Sequence, residues 1–243
     1  MENINTDREL KNSGYELFIL LISILSLFNL IFLVAPGFDP LAKGVVQIMD
    51  AFITVLFMAD FLYRIFTAES KREYFFRNWG WADLLASLPV QQLKIFRLFR
   101  VVKVLRLLRE FGLRNMLREI RNNRAGSALY LTVFMVILVL EFGGIAMLYV
   151  EAPDSAANIT TPGDAVWWAF VTITTVGYGD RFPVTGNGRL LGMFIMVLGV
   201  GLFGVLTGFL ANAFLSPQEE QVVAIAELSD ARQQIEEFRK LLE

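Results

Sequence analysis

The sequence predicts an all-α membrane protein, and three observations carry that reading. Of 243 residues, 55% are hydrophobic and 19% charged, whereas a soluble domain carries about a quarter charged residues and a smaller apolar share. The apolar residues are bunched into several stretches of about 20 with almost no charge, the length that crosses a bilayer as a helix. The charges are bunched too. Ten of the 22 Lys and Arg (Lys94, Arg97, Arg100, Lys103, Arg106, Arg109, Arg114, Arg118, Arg121 and Arg124) fall within residues 94–124. An ordinary soluble domain, a disordered chain and a fibrous protein are thereby excluded. Cys and His are absent. Disulfides, thiolate nucleophiles, Cys/His metal sites and a His general base are excluded with them.

The elements follow in order. Residues 1–14 are polar and mixed in charge, and the first span is 15–35. It is too long for a signal-peptide core and lacks a small-residue cleavage site, so it reads as a retained span. Pro36-Gly37 stops it. A polar turn with Asp39 and Lys43 leads to the second span, 45–68, and a basic loop occupies 69–78. The third span, 79–90, is short and contains Pro89 near its end; the fourth runs over 91–109. In 110–124, Leu113, Leu117 and Ile120 recur at helical spacing, which reads as a helix lying along the interface. The fifth span is 127–150. A polar loop, 151–163, leads into a half-length apolar helix, 164–174, then a glycine-rich turn, 175–180, and a last span, 189–215. The tail, 216–243, is polar with a helical pattern.

Six spans place both termini on one side. Loops sharing that side hold Arg8, Lys11, Lys71, Arg72, Arg77 and the basic residues of 114–124, against Lys43, Arg181 and Arg189 opposite. Basic loops stay inside, so a multi-pass protein of the cell membrane with both termini cytoplasmic is expected.

The most specific feature is Thr174-Thr175-Val176-Gly177-Tyr178-Gly179-Asp180, between a short apolar helix and a full span. Irregular backbone at membrane depth is tolerated only where it lines a cavity or is buried in protein. Gly177 and Gly179 permit backbone angles that aim successive carbonyls at one axis. A plain glycine turn between helices is the other reading, and it leaves the half-length helix and the flanking spans unexplained. Thr-Val-Gly-Tyr-Gly loops are themselves the best-known K⁺ filter.

On these residues the chain resembles a six-span, voltage-gated-type potassium channel subunit, of prokaryotic type, over residues 15–215. The resemblance implies a four-helix voltage-sensor domain (15–109), a linker helix (110–124) and a pore domain (125–215). The pore domain would hold two spanning helices, a re-entrant pore helix and a selectivity filter. It implies a homotetramer in a lipid bilayer, since one loop supplies a quarter of each oxygen ring. K⁺ would be the permeant ligand, held by backbone carbonyls of Thr175, Val176, Gly177 and Tyr178, with Gly179 closing the filter. No other cofactor and no nucleic-acid partner are expected. Trp167 and Trp168 resemble the family's aromatic cuff, bracing the filter through Asp180 and Tyr178; interfacial anchoring of the helix is the other reading.

Lys94, Arg97, Arg100, Lys103, Arg106 and Arg109 recur every third residue with apolar pairs between. On an α-helix that spacing drifts about 60° per step into a spiral stripe; on a 3₁₀ helix it aligns. The alternative is a basic amphipathic helix on the membrane surface, but the intervening residues are nearly all Leu, Val, Ile or Phe. Cations in a span need partners, and Asp50, Asp60 and Asp83 supply them. Phe57, Asp60 and Arg64 match the family pattern Phe-x-x-acid-x-x-x-Arg, with Asp83 19 residues after Arg64. By that resemblance Phe57, Asp60 and Asp83 form a charge-transfer site and Asp50 is a further counter-charge. Helix-end solvation is the other reading of the acids. About ten residues separate Asp83 from Lys94, so the hairpin many relatives carry there is abbreviated.

In the last span Gly199, Gly201, Gly204 and Gly208 interrupt the apolar run. Gly199 reads either as a hinge or as a close-packing position. Leu206-Thr207-Gly208 stands where many relatives have Pro-x-Pro, and the gate is expected between Asn212 and Leu215. Glu141 is an acid in the fifth span with no evident partner. The tail shows Ala224, Leu228, Ala231, Ile235, Phe238 and Leu242 at heptad-like steps. A short coiled coil and a solvated helix both fit.

The functional expectation is a tetrameric K⁺-selective channel gated by membrane voltage through the basic fourth helix. The alternative is a K⁺ channel with a structural sensor domain, gated by lipid, by the filter or by a missing ligand domain. An enzyme is not expected, since a voltage-sensing phosphatase requires a cysteine nucleophile. Transporters usually show broken helices in both halves, and only one broken segment is evident. A Na⁺ or Ca²⁺ filter would use acidic side chains, and Asp180 stands outside the carbonyl stack.

Overall fold

The computed structural model describes residues 13–68, 70–76, 80–87, 99–111, 124–212 and 214. Lys94, Arg97, Leu215, most of the linker and the tail's heptad pattern lie outside them, as does the side chain of Arg106. The elements are α1 (Ser13–Val34), α2 (Pro40–Thr67), α3 (Lys71–Phe76), α4 (Gly80–Ser87), α5 (Phe99–Phe111) and α6 (Arg124–Leu138). A π-helical turn (Val139–Gly143), α7 (Gly144–Glu151) and α8 (Pro162–Ile173) follow, and then α9 (Gly186–Asn212). No β-sheet strand occurs among the described residues, and the extended segments named below as strands are unpaired backbone. Gly14–Val34, Pro40–Thr67, Ser127–Glu151 and Gly186–Asn212 are long and apolar enough to cross a membrane.

Local chemistry sets the boundaries. The chain turns at Gly37, whose φ of +91° suits glycine. Asp39 Oδ1 then accepts from Leu41 N at 2.6 Å and Ala42 N at 3.3 Å, with Pro40 in the first turn. That cap starts α2 five residues before the expected 45, so Lys43 lies inside the helix rather than in a turn. The expected basic loop 69–78 contains the short helix α3.

Along α2 the buried residues are Val45, Val46, Met49, Asp50, Ile53, Thr54, Phe57, Asp60 and Phe61. Steps of three and four put them on one face. Phe52, Val55, Tyr63 and Phe66 stand exposed on the other, so the helix is apolar on both sides, as a lipid-facing helix must be. α1 packs on α2, α2 on α4, α4 on α5 and α5 back on α1, closing a four-helix ring. α1 also packs on α6, and α2 on α7 and α8. Gly44 admits the Pro162 ring where no side chain would fit, and Tyr130 meets Tyr15 and Phe18 at 5.9 Å between ring centres.

The chain divides into two compact units, Met1–Phe203 and Gly204–Glu243. The larger holds the ring and the helices packed on it. In the smaller, residues 204–212 and 214 are helical, with Val205, Leu210 and Phe214 exposed.

Candidate functional site

α8 begins on a capping box. Asp164 N donates to Thr161 Oγ1, and Thr161 N donates to Asp164 Oδ2, both at 3.1 Å. Asp164 also pairs with Arg181 at 2.9 Å, whose Nη1 donates to Asn158 O at 2.8 Å. These bonds tie the helix start to the chain that follows the glycine-rich turn. At its other end Thr174 N donates to Phe170 O at 3.0 Å, Thr175 N to Thr172 O at 3.1 Å and Val176 N to Val171 O at 3.1 Å.

The backbone then alternates. φ is +61° at Thr175, +60° at Gly177 and +78° at Gly179, while Val176 and Tyr178 are not left-handed. Left-handed backbone thus recurs at every second position of this segment. Glycine adopts it freely, but Thr175 is β-branched and strained there by about 1–2 kcal/mol.

Trp167 braces this strand twice. Its Nε1 donates to Asp180 Oδ2 at 2.9 Å, and its ring stacks on Tyr178 at 5.8 Å and 3°. Trp168 takes a different direction: it is buried in the core and would meet a Cβ built on Gly192 of α9 at 3.6 Å. Glu151, which the sequence assigned to a polar loop, is the buried last residue of α7. It accepts from Val184 N at 2.8 Å, Thr185 N at 3.0 Å and Thr185 Oγ1 at 2.6 Å. It thereby anchors the strand leading into α9. At Gly199 a Cβ would lie 2.8 Å from Ile173 Cα, so α9 and the end of α8 touch backbone to backbone; Gly201, Gly204 and Gly208 meet nothing within 4 Å.

The second cluster lies inside the four-helix ring. Lys103 Nζ donates to Asp60 Oδ2 at 2.6 Å and lies 3.8 Å from Asp83 Oδ1. Asp60 Oδ1 also accepts from Arg64 Nε at 2.8 Å and Tyr15 Oη at 2.5 Å, and Arg64 reaches Glu16 at 2.6 Å. Arg100 pairs with Asp50 and bonds Ser26, and donates to Thr54 Oγ1 at 2.8 Å. Between these cations stands the Phe57 ring, with Lys103 Nζ 4.6 Å and Arg100 Cζ 5.4 Å from its centre. Asp50 and Asp60 are separated by about 15 Å along α2, with Phe57 between them. Arg100 and Lys103 are each 1% exposed. Charges so buried are held only when paired.

The structure therefore gathers Phe57, Asp60, Asp83, Asp50, Arg100 and Lys103 in one core, and Trp167, Tyr178 and Asp180 at one strand. Arg109 is exposed at the far end of α5. Asn212 lies in the smaller unit. The sequence reading missed Ser26, Thr54, Tyr15, Glu16 and Glu151. Among the described residues no group of His, Cys, Asp and Glu forms a metal site.

The sequence pattern of the family described as Ion transport protein matches residues 12–221. A voltage-gated potassium channel of Aeropyrum pernix is 36% identical over 44% of this chain and 39% of its own length. A putative potassium channel protein of Rhodopseudomonas palustris is 29% identical over 55% of this chain and 32% of its own. The voltage-gated potassium channel regulatory subunit KCNG3 of Mus musculus is 26% identical over 76% of this chain and 47% of its own. The chain thus spans less than half the length of each of these relatives.

Proposed function

The chain belongs to the ion transport protein family, and on that premise we propose that it is the subunit of a tetrameric, K⁺-selective channel gated by membrane voltage. The family is one of ion channels, not of enzymes. The observation that carries K⁺ conduction is the left-handed alternation at Thr175, Gly177 and Gly179. Four such strands facing an axis make stacked oxygen rings that replace the hydration shell of K⁺. Asp180 is held aside by Trp167 and contributes no acidic ring. The relatives named as potassium channels support the same ion.

Tetramerism is supported by α9. Only 17% of its most apolar stretch is buried, against 44–50% in the other three candidate spans. Neighbouring subunits are the natural cover for such a helix.

Voltage gating is supported by Phe57 standing between two buried cations. If α5 slides by one three-residue step, Arg100 replaces Lys103 at Asp60. The slide is about 4.5 Å on an α-helix and about 6 Å on a 3₁₀ helix. Arg97 and Lys94 continue the series at the same spacing. Three charges crossing in each of four subunits supply about 28 kcal/mol per 100 mV, ample to bias a two-state pore. The basic loops favour a multi-pass cell-membrane protein with both termini cytoplasmic.

The deciding experiment is current through purified protein in a planar bilayer, stepped in both directions under a K⁺/Na⁺ gradient. Reversal near the K⁺ potential with voltage-dependent opening supports the proposal. K⁺ current indifferent to voltage overturns the gating claim alone, and unselective current overturns the claim of K⁺ selectivity. The match to a regulatory subunit favours a second reading, assembly with a different pore-forming subunit. Protein purified alone that forms no conducting tetramer would support it.

A further inference from the structure

Glu141 is the one acid of the proposed pore span that neither cluster uses. It is completely buried, in the π-helical turn between α6 and α7. Its Oε2 accepts from Asn29 Nδ2 of α1 at 3.2 Å. Its Oε1 and Asn29 Oδ1 find no hydrogen-bond partner among the described residues. Burying a carboxylate among apolar helices costs several kcal/mol, and one bond from a neutral amide offsets about 1 kcal/mol of it. A leucine here would make a more stable span, so stability does not account for the residue. Wide turns of this kind frequently mark functional positions in helices.

The position of the pair supplies a role. Asn29 lies one turn beyond Ser26 on the same face of α1. Ser26 bonds both Arg100 and Asp50, so this face of α1 reads where Arg100 sits. On the other side, Gly143 of the same π-helical turn is so close to α9 that a Cβ there would meet Ile195 Cδ1 at 3.1 Å. One contiguous route thus runs from Arg100 through Ser26 and Asn29 to Glu141, and on to α9. It does not pass through residues 110–124.

We propose that the Asn29–Glu141 hydrogen bond is a coupling link between the sensor ring and the pore helices, joining the position of Arg100 to the packing of α9. The link rests on the voltage-gating reading above. Two unfilled acceptors make the contact weak, which suits a bond that forms and breaks with each gating step. Asn29 and Glu141 are positioning residues: neither touches the permeant ion.

The test uses the full chain in the membrane, recording two curves: charge movement of the sensor and conductance, each against voltage. Tetramer assembly is checked for every variant by size-exclusion chromatography. Asn29→Leu and Glu141→Leu should leave the charge curve in place and lower the opening equilibrium at fixed voltage at least fivefold. The double variant should cost no more than either single one. Glu141→Gln supplies the missing donor to Asn29 Oδ1 and should bring the two curves closer together. Asn29→Asp with Glu141→Gln reverses the bond and should return within twofold of wild type. Additive leucine effects, equal shifts of both curves, or a glutamine variant that behaves like leucine would overturn the link while leaving voltage gating intact. Wild-type protein without voltage-driven charge movement would overturn the gating reading and the link with it.

Discussion

Lys103 Nζ lies 2.6 Å from Asp60 Oδ2, with both side chains buried. The pair is one member of a chain, Glu16–Arg64–Asp60–Lys103, whose first three members sit on α1 and α2. Only the lysine belongs to the helix whose charges repeat. The acid is therefore a fixed seat and the lysine its present occupant.

Asp60→Asn should weaken the arrangement in which Lys103 occupies that seat. Removing one partner of a buried pair costs about 3–5 kcal/mol. At about 2.3 kcal/mol per charge per 100 mV, with three charges moving, 3 kcal/mol displaces the charge-movement midpoint by about 40 mV. Gating-charge recordings check the shift, and an unmoved midpoint would show that the pair is static.

Trp167→Phe removes the bond to Asp180 Oδ2 and keeps the stack on Tyr178. The strained strand loses about 1 kcal/mol of support. Conducting lifetimes in single-channel records should shorten about fivefold with no change in K⁺/Na⁺ selectivity.

Gly199→Ala and Gly201→Ala should part company. The first drives a methyl against the Ile173 backbone and should cost about 1–3 kcal/mol by overpacking. The second meets nothing within the chain and, unless a neighbouring copy packs there, should gain up to about 1 kcal/mol of helix propensity. Thermal unfolding of the two variants decides it. If Gly199 were only a hinge, its alanine variant would change opening and leave the melting temperature alone.

Glu151→Gln should loosen the start of α9. The carboxylate receives two backbone N–H groups and a hydroxyl beside that helix's N-terminus, where negative charge is favoured. Charge-assisted bonds are worth about 1.5–3 kcal/mol. The protein should melt several degrees lower, and thermal unfolding measures it.

What the sequence showed, it showed locally. Thr175 to Gly179 are adjacent, and the cations repeat every third residue. Asp50, Phe57 and Asp60 share one buried face because α2 has a fixed period. The readings that fell short depended on distance along the chain. Glu151 meets Val184 and Thr185 33 and 34 residues away. Glu141 meets Asn29 across 112, and no local pattern announces either partner. Trp167 and Trp168 are neighbours whose helical directions differ by about 100°. A rule treating them alike could not see that one faces the strand and the other α9.

The left-handed turn at Thr175 has a consequence of its own. Carbonyl dipoles stacked on one side of a strand repel each other, and this strand adds backbone strain to the repulsion. A cation lying among the oxygens would offset that repulsion. In the proposed channel each ion would contribute to folding by mass action while it occupied the line, so the salt such a channel conducts would also help to hold it together.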